Sequence, residues 1–324
     1  MATVSIITAL HNKGRYVVET IRSVQAQTRS DWEMIVVENG SSDHGPEQVR
    51  RFVGRDSRIR LVASPKRGPG AARNFGLAQA TGDWVLFLDA DDGIAPTYLD
   101  EQLVASQRHE KARIIAGCWQ EFTDGVLEGA TVRYPCGYRG ATCHLVDSAI
   151  AFAPWAVHAA LVRRDWLGDK IRWFEHLDGW PSEDTAFWFS ALQGAAVTWS
   201  ESTGAFYRVN TPNSRNSGRD ADRWFEGLNK VIETNLDTLA RSGKAPSAAQ
   251  RATIMRTFES RYRKALRDGN DEWAARFLAE ATRWLRACAW TGGSIALRKV
   301  FGIRLITKCH RETVDTALST VIGA

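Results

Sequence analysis

No apolar run in this sequence approaches the roughly 20 residues that a helix needs to cross a bilayer, and there is no Cys-x-x-Cys pair, internal repeat or low-complexity tract. The first absence argues against a membrane-spanning helix, and the lack of repeats argues against solenoids and arrays. The five cysteines, Cys118, Cys136, Cys143, Cys288 and Cys309, are odd in number and show no metal-site spacing. That argues against a disulfide framework or a zinc site and for a reducing compartment. The first strand-like run begins at Thr3, with no basic-then-apolar leader before it, so no signal peptide is expected. A further absence is local. No acid occurs between Glu280 and Glu312, whereas Arg283, Arg286, Arg298, Lys299, Arg304, Lys308 and Arg311 do.

What is present fits a globular α/β protein. A hydrophobic share of 44% over 324 residues is enough for one large domain and a smaller one. The most informative stretch is Asp83 to Asp92. The apolar run Val85–Leu88 has the length and the β-branched and aromatic content of a buried strand, and it ends in Asp89, Asp91 and Asp92. Three carboxylates at one strand end repel one another unless a cation sits among them. An Asp-x-Asp pair suits a hard divalent ion that already carries phosphate oxygens, Mg²⁺ or Mn²⁺.

That stretch closes a series. Val4–Ala9 reads as a buried strand running into His11 and Asn12. Residues 14–28 read as a helix through Val17, Val18, Ile21 and Val24. Trp32–Val37 is a second strand, stopping at Glu38, Asn39 and Gly40, and residues 45–54 form a second helix. Ile59–Ala63 is a short third strand, and a Gly-rich turn at Gly68 and Gly70 opens a helix to about Ala80. This alternation predicts a parallel sheet with right-handed crossovers, in which ligands bind outside the carboxyl ends of the strands. Each polar motif falls at such an end, so the motifs can share one cleft.

The ordered motifs Val4-Ser5-Ile6-Ile7 to Asn12, Val37-Glu38-Asn39-Gly40-Ser41-Ser42-Asp43, Gly70-Ala71-Ala72-Arg73-Asn74-x-Gly76, Ala80-Thr81-Gly82-Asp83 and Phe87-Leu88-Asp89-Ala90-Asp91-Asp92 resemble those of inverting family 2 glycosyltransferases. A sixth, Gly179-Trp180-Pro181-Ser182-Glu183-Asp184, resembles the Glu-Asp pair of that family's acceptor half. The likeness runs over roughly residues 1–215. It implies a GT-A fold: a Rossmann-like, mixed but mainly parallel sheet flanked by helices, here followed by a helical C-terminal extension. The expected domains are 1–217, catalytic, with a nucleotide-sugar half at 1–95 and an acceptor half at 96–217, and 218–324, helical and basic.

The resemblance implies roles residue by residue. Asp91, with Asp89, would hold Mn²⁺ or Mg²⁺ on the donor diphosphate. Ala9, His11 and Glu38 would form the nucleobase pocket, where a carboxylate accepts the N3–H of uracil, so a UDP-sugar is favoured. Arg73, following a Gly-rich turn, would meet phosphate or base oxygens with the backbone N–H groups beside it. Asp184, supported by Glu183, would be the general base on the acceptor hydroxyl. Acids at a helix start also serve as caps. Trp180 would contact the acceptor, and His158 reads as a structural histidine. Two departures stand out: Glu38-Asn39 replaces the family's Asp-Asp, and Tyr207-Arg208-Val209-Asn210 replaces its Tyr-Arg-x-His. Asn210 coordinates a hard ion weakly, and Arg208 can compensate diphosphate charge. The polar stretch 211–218 reads as a lid or linker.

Residues 219–324 hold 19 Lys and Arg against 12 Asp and Glu, with helical periodicity over Trp224–Leu239, Ala248–Leu266 and Glu272–Trp290. The acid-free segment 281–311, with Trp284 and Trp290, suits an anionic membrane surface; the alternative is a packed helical appendage. No nucleic-acid motif accompanies the charge. The reading is therefore a metal-dependent inverting glycosyltransferase in cell-surface polysaccharide or glycoconjugate synthesis. It would be cytoplasmic, or peripheral at the inner face of the membrane, with a carbohydrate or lipid-linked acceptor. The rivals are a degenerate transferase that binds sugar or lipid, and a nucleotidyltransferase, for which Lys13-Gly14-Arg15 is a thin phosphate loop.

Overall fold

The computed structural model of the chain describes residues 3–123, 126–138, 144–209 and 221–288, with Ile295, Arg298, Gly302 and Ile303. Asn210, the 211–218 stretch and Trp290 lie outside the described residues.

The strands are β1 (Val4–Leu10), β2 (Trp32–Glu38), β3 (Ile59–Ala63), β4 (Trp84–Phe87), β5 (Gly93–Ile94), β6 (Ile114–Ala116), β7 (Trp119–Thr123), β8 (Val126–Arg133), β9 (Ala160–Arg163), β10 (Val197–Trp199) and β11 (Ala205–Arg208). The helices are α1 (Val17–Gln25), α2 (Gly45–Val53), α3 (Pro69–Leu77), α4 (Tyr98–Arg108), α5 (Leu145–Ser148), α6 (Arg164–Leu167), α7 (Glu183–Leu192), α8 (Ala221–Arg241), α9 (Ala248–Arg267) and α10 (Asp271–Ala287). Among the described residues, seven strands form the main sheet in the order β10-β6-β9-β4-β1-β2-β3. The run β4-β1-β2-β3 is parallel, while β9 lies antiparallel between β4 and β6. A second sheet has the order β5-β11-β7-β8. This is the expected mixed, mainly parallel α/β arrangement of the GT-A fold.

Near-continuous apolar runs make the central strands, because both faces of a parallel sheet are covered. Val4, Ile6, Ile7, Met34, Ile35, Val36, Val85, Leu86 and Phe87 are all essentially inaccessible. α3 starts on Pro69, whose missing N–H costs nothing in a first turn. It can lie close on the sheet because of Gly76: a Cβ there would stand 2.6 Å from Ile7 Cγ2 and 3.0 Å from Val37 Cγ2. The chain leaves β4 through a tight turn, in which the Asp92 N–H donates to the Asp89 carbonyl at 3.1 Å.

The chain divides into two compact units, Met1–Ala149 with Ala153–Val231, and Ile150–Phe152 with Ile232–Ala324. The boundary expected at 217/218 precedes α8; the units divide inside it, because that helix runs on from Ala221 to Arg241. In the second unit the buried Asn235 donates to the Ile150 carbonyl at 2.9 Å, which ties the short 150–152 segment to it. α9 opens with a capping box between Ser247 and Gln250. It packs with α10 over Ile254, Met255, Phe258, Trp273, Phe277 and Leu285.

Two expectations change here. Trp284 is buried in the second unit, so it is not presented as a headgroup anchor. Arg298 is committed to Glu259 at 2.7 Å, beside Arg263. Both follow from amphipathicity: an apolar face that could meet lipid instead covers this unit's own core. The cysteine reading changes too. Cys118 and Cys288 are free and buried, but Cys136 is disulfide-bonded. An odd count excludes a complete framework, not a single pair. Among the described residues no helix is long and apolar enough to cross a membrane.

Candidate active site

The triplet after β4 meets a different cation at each carboxylate. Arg73 Nη2 lies 2.6 Å from Asp89 Oδ1, Lys13 Nζ 2.5 Å from Asp91 Oδ2, and His158 Nδ1 3.2 Å from Asp92 Oδ2. Asp89 and Asp91 are half-buried, whereas Asp92 is buried and also accepts the Arg208 N–H at 2.8 Å. Burial pushes the Asp92 carboxyl up to about 6, against the pull of His158. For His158 burial disfavours charge, but the Asp92 and Asp89 carboxylates outweigh it and raise its pKa. The His158 contact becomes an ion pair when the imidazole is protonated. His158 is thus structural, as its sequence context suggested, and its place is beneath the carboxylate triplet.

Arg73 is the centre of the site. It is 2% exposed, and its Nη1 lies 3.4 Å from Glu183 Oε1 while Nη2 holds Asp89. Its guanidinium sits 4.1 Å from the Trp173 ring centroid, and Trp173 stacks on Phe187 at 4.3 Å with the rings 3° apart. One cation therefore joins a carboxylate at the end of β4 to one at the start of α7. The sequence reading pointed Arg73 and the first N–H groups of α3 at a bound ligand. In the structure Gly70 and Ala71 donate to Asp178, at 2.6 and 3.1 Å, and the guanidinium is turned inward. Burial raises the Asp178 pKa, with the two N–H donors and Arg73 opposing. Gly68 and Gly70 make room for it: a Cβ at either would stand within 2.6 Å of an Asp178 oxygen. No local signal in the sequence could show this, since Asp178 arrives from far along the chain.

At the expected nucleobase pocket the register pairs Ala9 with Val37 and Leu10 with Glu38, so Ala9, His11 and Glu38 gather at adjacent strand ends. His11 Nδ1 donates to the Asn39 carbonyl at 3.0 Å; the carbonyl can only accept, which fixes the tautomer. Glu38 accepts the Ser41 N–H at 2.5 Å. Asn39, the departure from Asp-Asp, is buried and structural. It donates to the Lys66 carbonyl at 2.8 Å and accepts the Gly68 N–H at 2.7 Å, tying the second strand end to the turn before α3.

α7, expected on the acceptor side, begins at Glu183, with Asp184 half-buried in its first turn, where the helix dipole favours acids. Among the described residues the non-glycine positions with positive φ are Asn12 (51°) and Ser182 (62°). Such backbone costs about 1–3 kcal/mol and tends to gather at functional sites; here one flanks the β1 end and the other α7. Trp180 lines a pocket of about 470 Å³ with Asp178, Gly179, Asp222, Arg223 and Glu226. Lys230 Nζ stands 5.0 Å from its ring. Trp188 is core, and Trp199 packs edge-on to Trp155 at 6.3 Å. Arg208 is drawn inward, donating to the Asp91 carbonyl at 2.8 Å and pairing with Glu19 at 2.6 Å.

Residues 5–147 match the sequence model of Glycosyl transferase family 2. Over these residues the chain is similar to family 2 glycosyltransferases. An uncharacterized glycosyltransferase of Haemophilus influenzae is 38% identical over 104 residues, which is 32% of this chain and 42% of that protein. Two further curated relatives are covered over 35% and 40% of their lengths, so in each the matched part is less than half of the protein. Among solved structures, S. aureus TarS in complex with UDP superposes with a TM-score of 0.66 at 18% identity, over 97% of this chain and 92% of that one. The mannosyltransferase PcManGT of Pyrobaculum calidifontis, in complex with GDP-Man and Mn²⁺, gives 0.54 at 18% identity, over 98% and 87%. At such identities the likeness shows the fold alone. The family match covers the Asp89–Asp92 triplet and Arg73; Glu183 and Asp184 lie beyond it.

Among the described residues no three His, Cys, Asp or Glu side chains are grouped to hold a metal ion. Asp91 nonetheless suits a cation: it is a half-buried carboxylate with an ammonium already seated on it.

Proposed function

We propose that this chain moves a sugar from a nucleotide-diphosphate donor, a UDP-sugar before others, to an acceptor hydroxyl with inversion, assisted by Mn²⁺ or Mg²⁺. The observation that carries the reading is Arg73, which links Asp89 of the donor half to Glu183, next to Asp184, in the acceptor half. A leaving diphosphate and an attacking hydroxyl must meet at one sugar carbon from opposite sides. A rigid bridge between the two carboxylate groups holds the needed geometry before either substrate arrives. Asp184 takes the acceptor proton, and Glu183, fixed by Arg73, orients it. Ala9, His11 and Glu38 receive the base, and Trp180 faces the acceptor. A divalent ion, when bound, would sit on Asp91 with Asp89 close by and supply charge for the departing diphosphate. The complexes of TarS with UDP and PcManGT with GDP-Man and Mn²⁺ support a nucleotide-sugar donor and a metal. A thermal-shift or mass-spectrometric screen of nucleotide-sugars with Mn²⁺ tests the reading; silence across the whole panel would reject it.

By calorimetry, UDP is expected to bind far better with Mn²⁺ or Mg²⁺ than in EDTA, and Asp91→Asn to remove most of that difference. Equal affinity with and without metal would take Asp91 out of the donor site.

The acceptor is carbohydrate or lipid-linked. Peripheral attachment through 281–311, at the inner face of a membrane, is supported by the missing acids and by exposed Arg283 and Arg286. Each Lys or Arg near an anionic surface contributes about 1 kcal/mol. Co-sedimentation with anionic vesicles at low salt, fading at high salt and absent with neutral vesicles, is expected. No lipid or salt dependence would leave this segment a packed appendage and the acceptor soluble.

A further inference from the structure

We propose that Lys13 is a tethered counter-ion that competes with a divalent cation for Asp91 and yields only when an anionic diphosphate gives it another partner. The inference rests on the transfer reading above for its purpose, but not for its test. Lys13 is not a loosely placed surface lysine. Its carbonyl accepts the N–H groups of Tyr16 and Val17, both at 2.9 Å, which fixes the turn into α1. The next residue, Gly14, donates to Asp43 Oδ2 at 2.7 Å, and a Cβ there would stand 2.9 Å from both that oxygen and the Gly45 nitrogen. The loop is thereby clamped against the start of α2, and only glycine fits the clamp.

From that clamp the Lys13 ammonium reaches Asp91 Oδ2 at 2.5 Å, with side-chain exposures of 21% and 15%. A pair so withdrawn from water attracts more strongly than one on an open surface. Basic side chains gather around one aromatic ring of the same loop. Lys13 Nζ, Arg15 Cζ and Arg208 Cζ lie 5.8, 5.4 and 4.8 Å from the ring centroid of the buried Tyr16. A free divalent ion approaching Asp91 must displace the ammonium already seated on it. An ion that arrives with a diphosphate meets a different balance, because the displaced ammonium can pair with phosphate oxygens. Cation and donor then bind as a coupled pair, each raising the affinity for the other.

The test is a titration of Mn²⁺ alone, read from the EPR signal of the free ion, on the full chain without nucleotide. Lys13→Met, similar in length and uncharged, is expected to tighten Mn²⁺ at least about tenfold over wild type, the scale of removing a partly buried competing charge. Lys13→Gln should do the same, so the result does not depend on one variant folding. Asp91→Asn added to Lys13→Met should abolish the gain. Unchanged Mn²⁺ affinity in both variants, or no binding in any of them, would overturn the proposal. The titration needs neither donor nor turnover. A tenfold gain in a protein without transfer activity would reject the transfer reading alone, and an active enzyme without the gain would reject only the role of Lys13.

Discussion

Asp184→Asn should lower turnover by about a hundredfold or more while leaving nucleotide affinity nearly unchanged, the usual cost of losing a general base. The amide keeps the size of the carboxylate, so the helix should survive. What it cannot do is accept a proton from the acceptor hydroxyl as the new bond forms. Glu183→Gln should cost less, because an amide oxygen can still accept from Arg73 at the 3.4 Å contact. Initial rates at saturating donor and acceptor, set beside nucleotide binding by calorimetry, separate the two. Near-wild-type turnover in Asp184→Asn would move the base elsewhere, with Glu183 the first suspect.

Arg73→Met should be the most destabilising of these substitutions, by about 3–5 kcal/mol, because it strands buried charge rather than merely deleting a contact. Glu183 is buried and Asp89 half-buried, and both would lose the cation between them. The Trp173 face would lose its guanidinium as well. Arg73→Lys should recover only part of the loss, since an ammonium is a point charge without the planar fork that reaches two carboxylates and stacks on a ring. Urea unfolding of the three proteins gives the comparison. A loss below about 1 kcal/mol, the scale of an exposed pair, would mean that water already screens the bridge.

The part of the chain that was legible in sequence is the part where neighbours in sequence are neighbours in space. β1 to β4 and α1 to α3 follow one another as parallel strand–helix units, so their apolar runs and helical periods are written locally. The helices of the second unit were legible for the same reason: Ala248–Leu266 was expected and α9 spans Ala248–Arg267. The second sheet was not legible. β7 is half-exposed along most of its length, and β5 has two residues, so neither carries a clear alternation. Within the site, residue types singled out Asp89, Asp91 and Glu38 at strand ends and Asp184 at a helix start, but not their partners. Lys13 lies 78 positions from Asp91 and Arg73 lies 110 from Glu183. Pairings of that kind are set by the closed fold, not by any window of sequence. Arg73 shows the consequence: its type and place suggested a ligand contact, while packing turned it into the bridge.

The antiparallel strand β9 fixes when the site can come into being. It pairs Leu161 with Leu86 of β4, and the His158 beneath the triplet comes with it. A chain emerging from the ribosome N-terminus first completes β1 to β4 well before β9 exists. During that interval β4 is an open edge, and Asp92 has no imidazole beside it. Closing so distant a contact is slow, and an unpaired hydrophobic edge invites pairing with other chains meanwhile. The segment from β1 to the triplet is therefore not a portable module. Cut off after the triplet, it would lack the imidazole for Asp92, the Asp178 cap on α3 and the second carboxylate of Arg73. Chimeras built on that segment must carry residues 158–184 with it, or restore those contacts one by one.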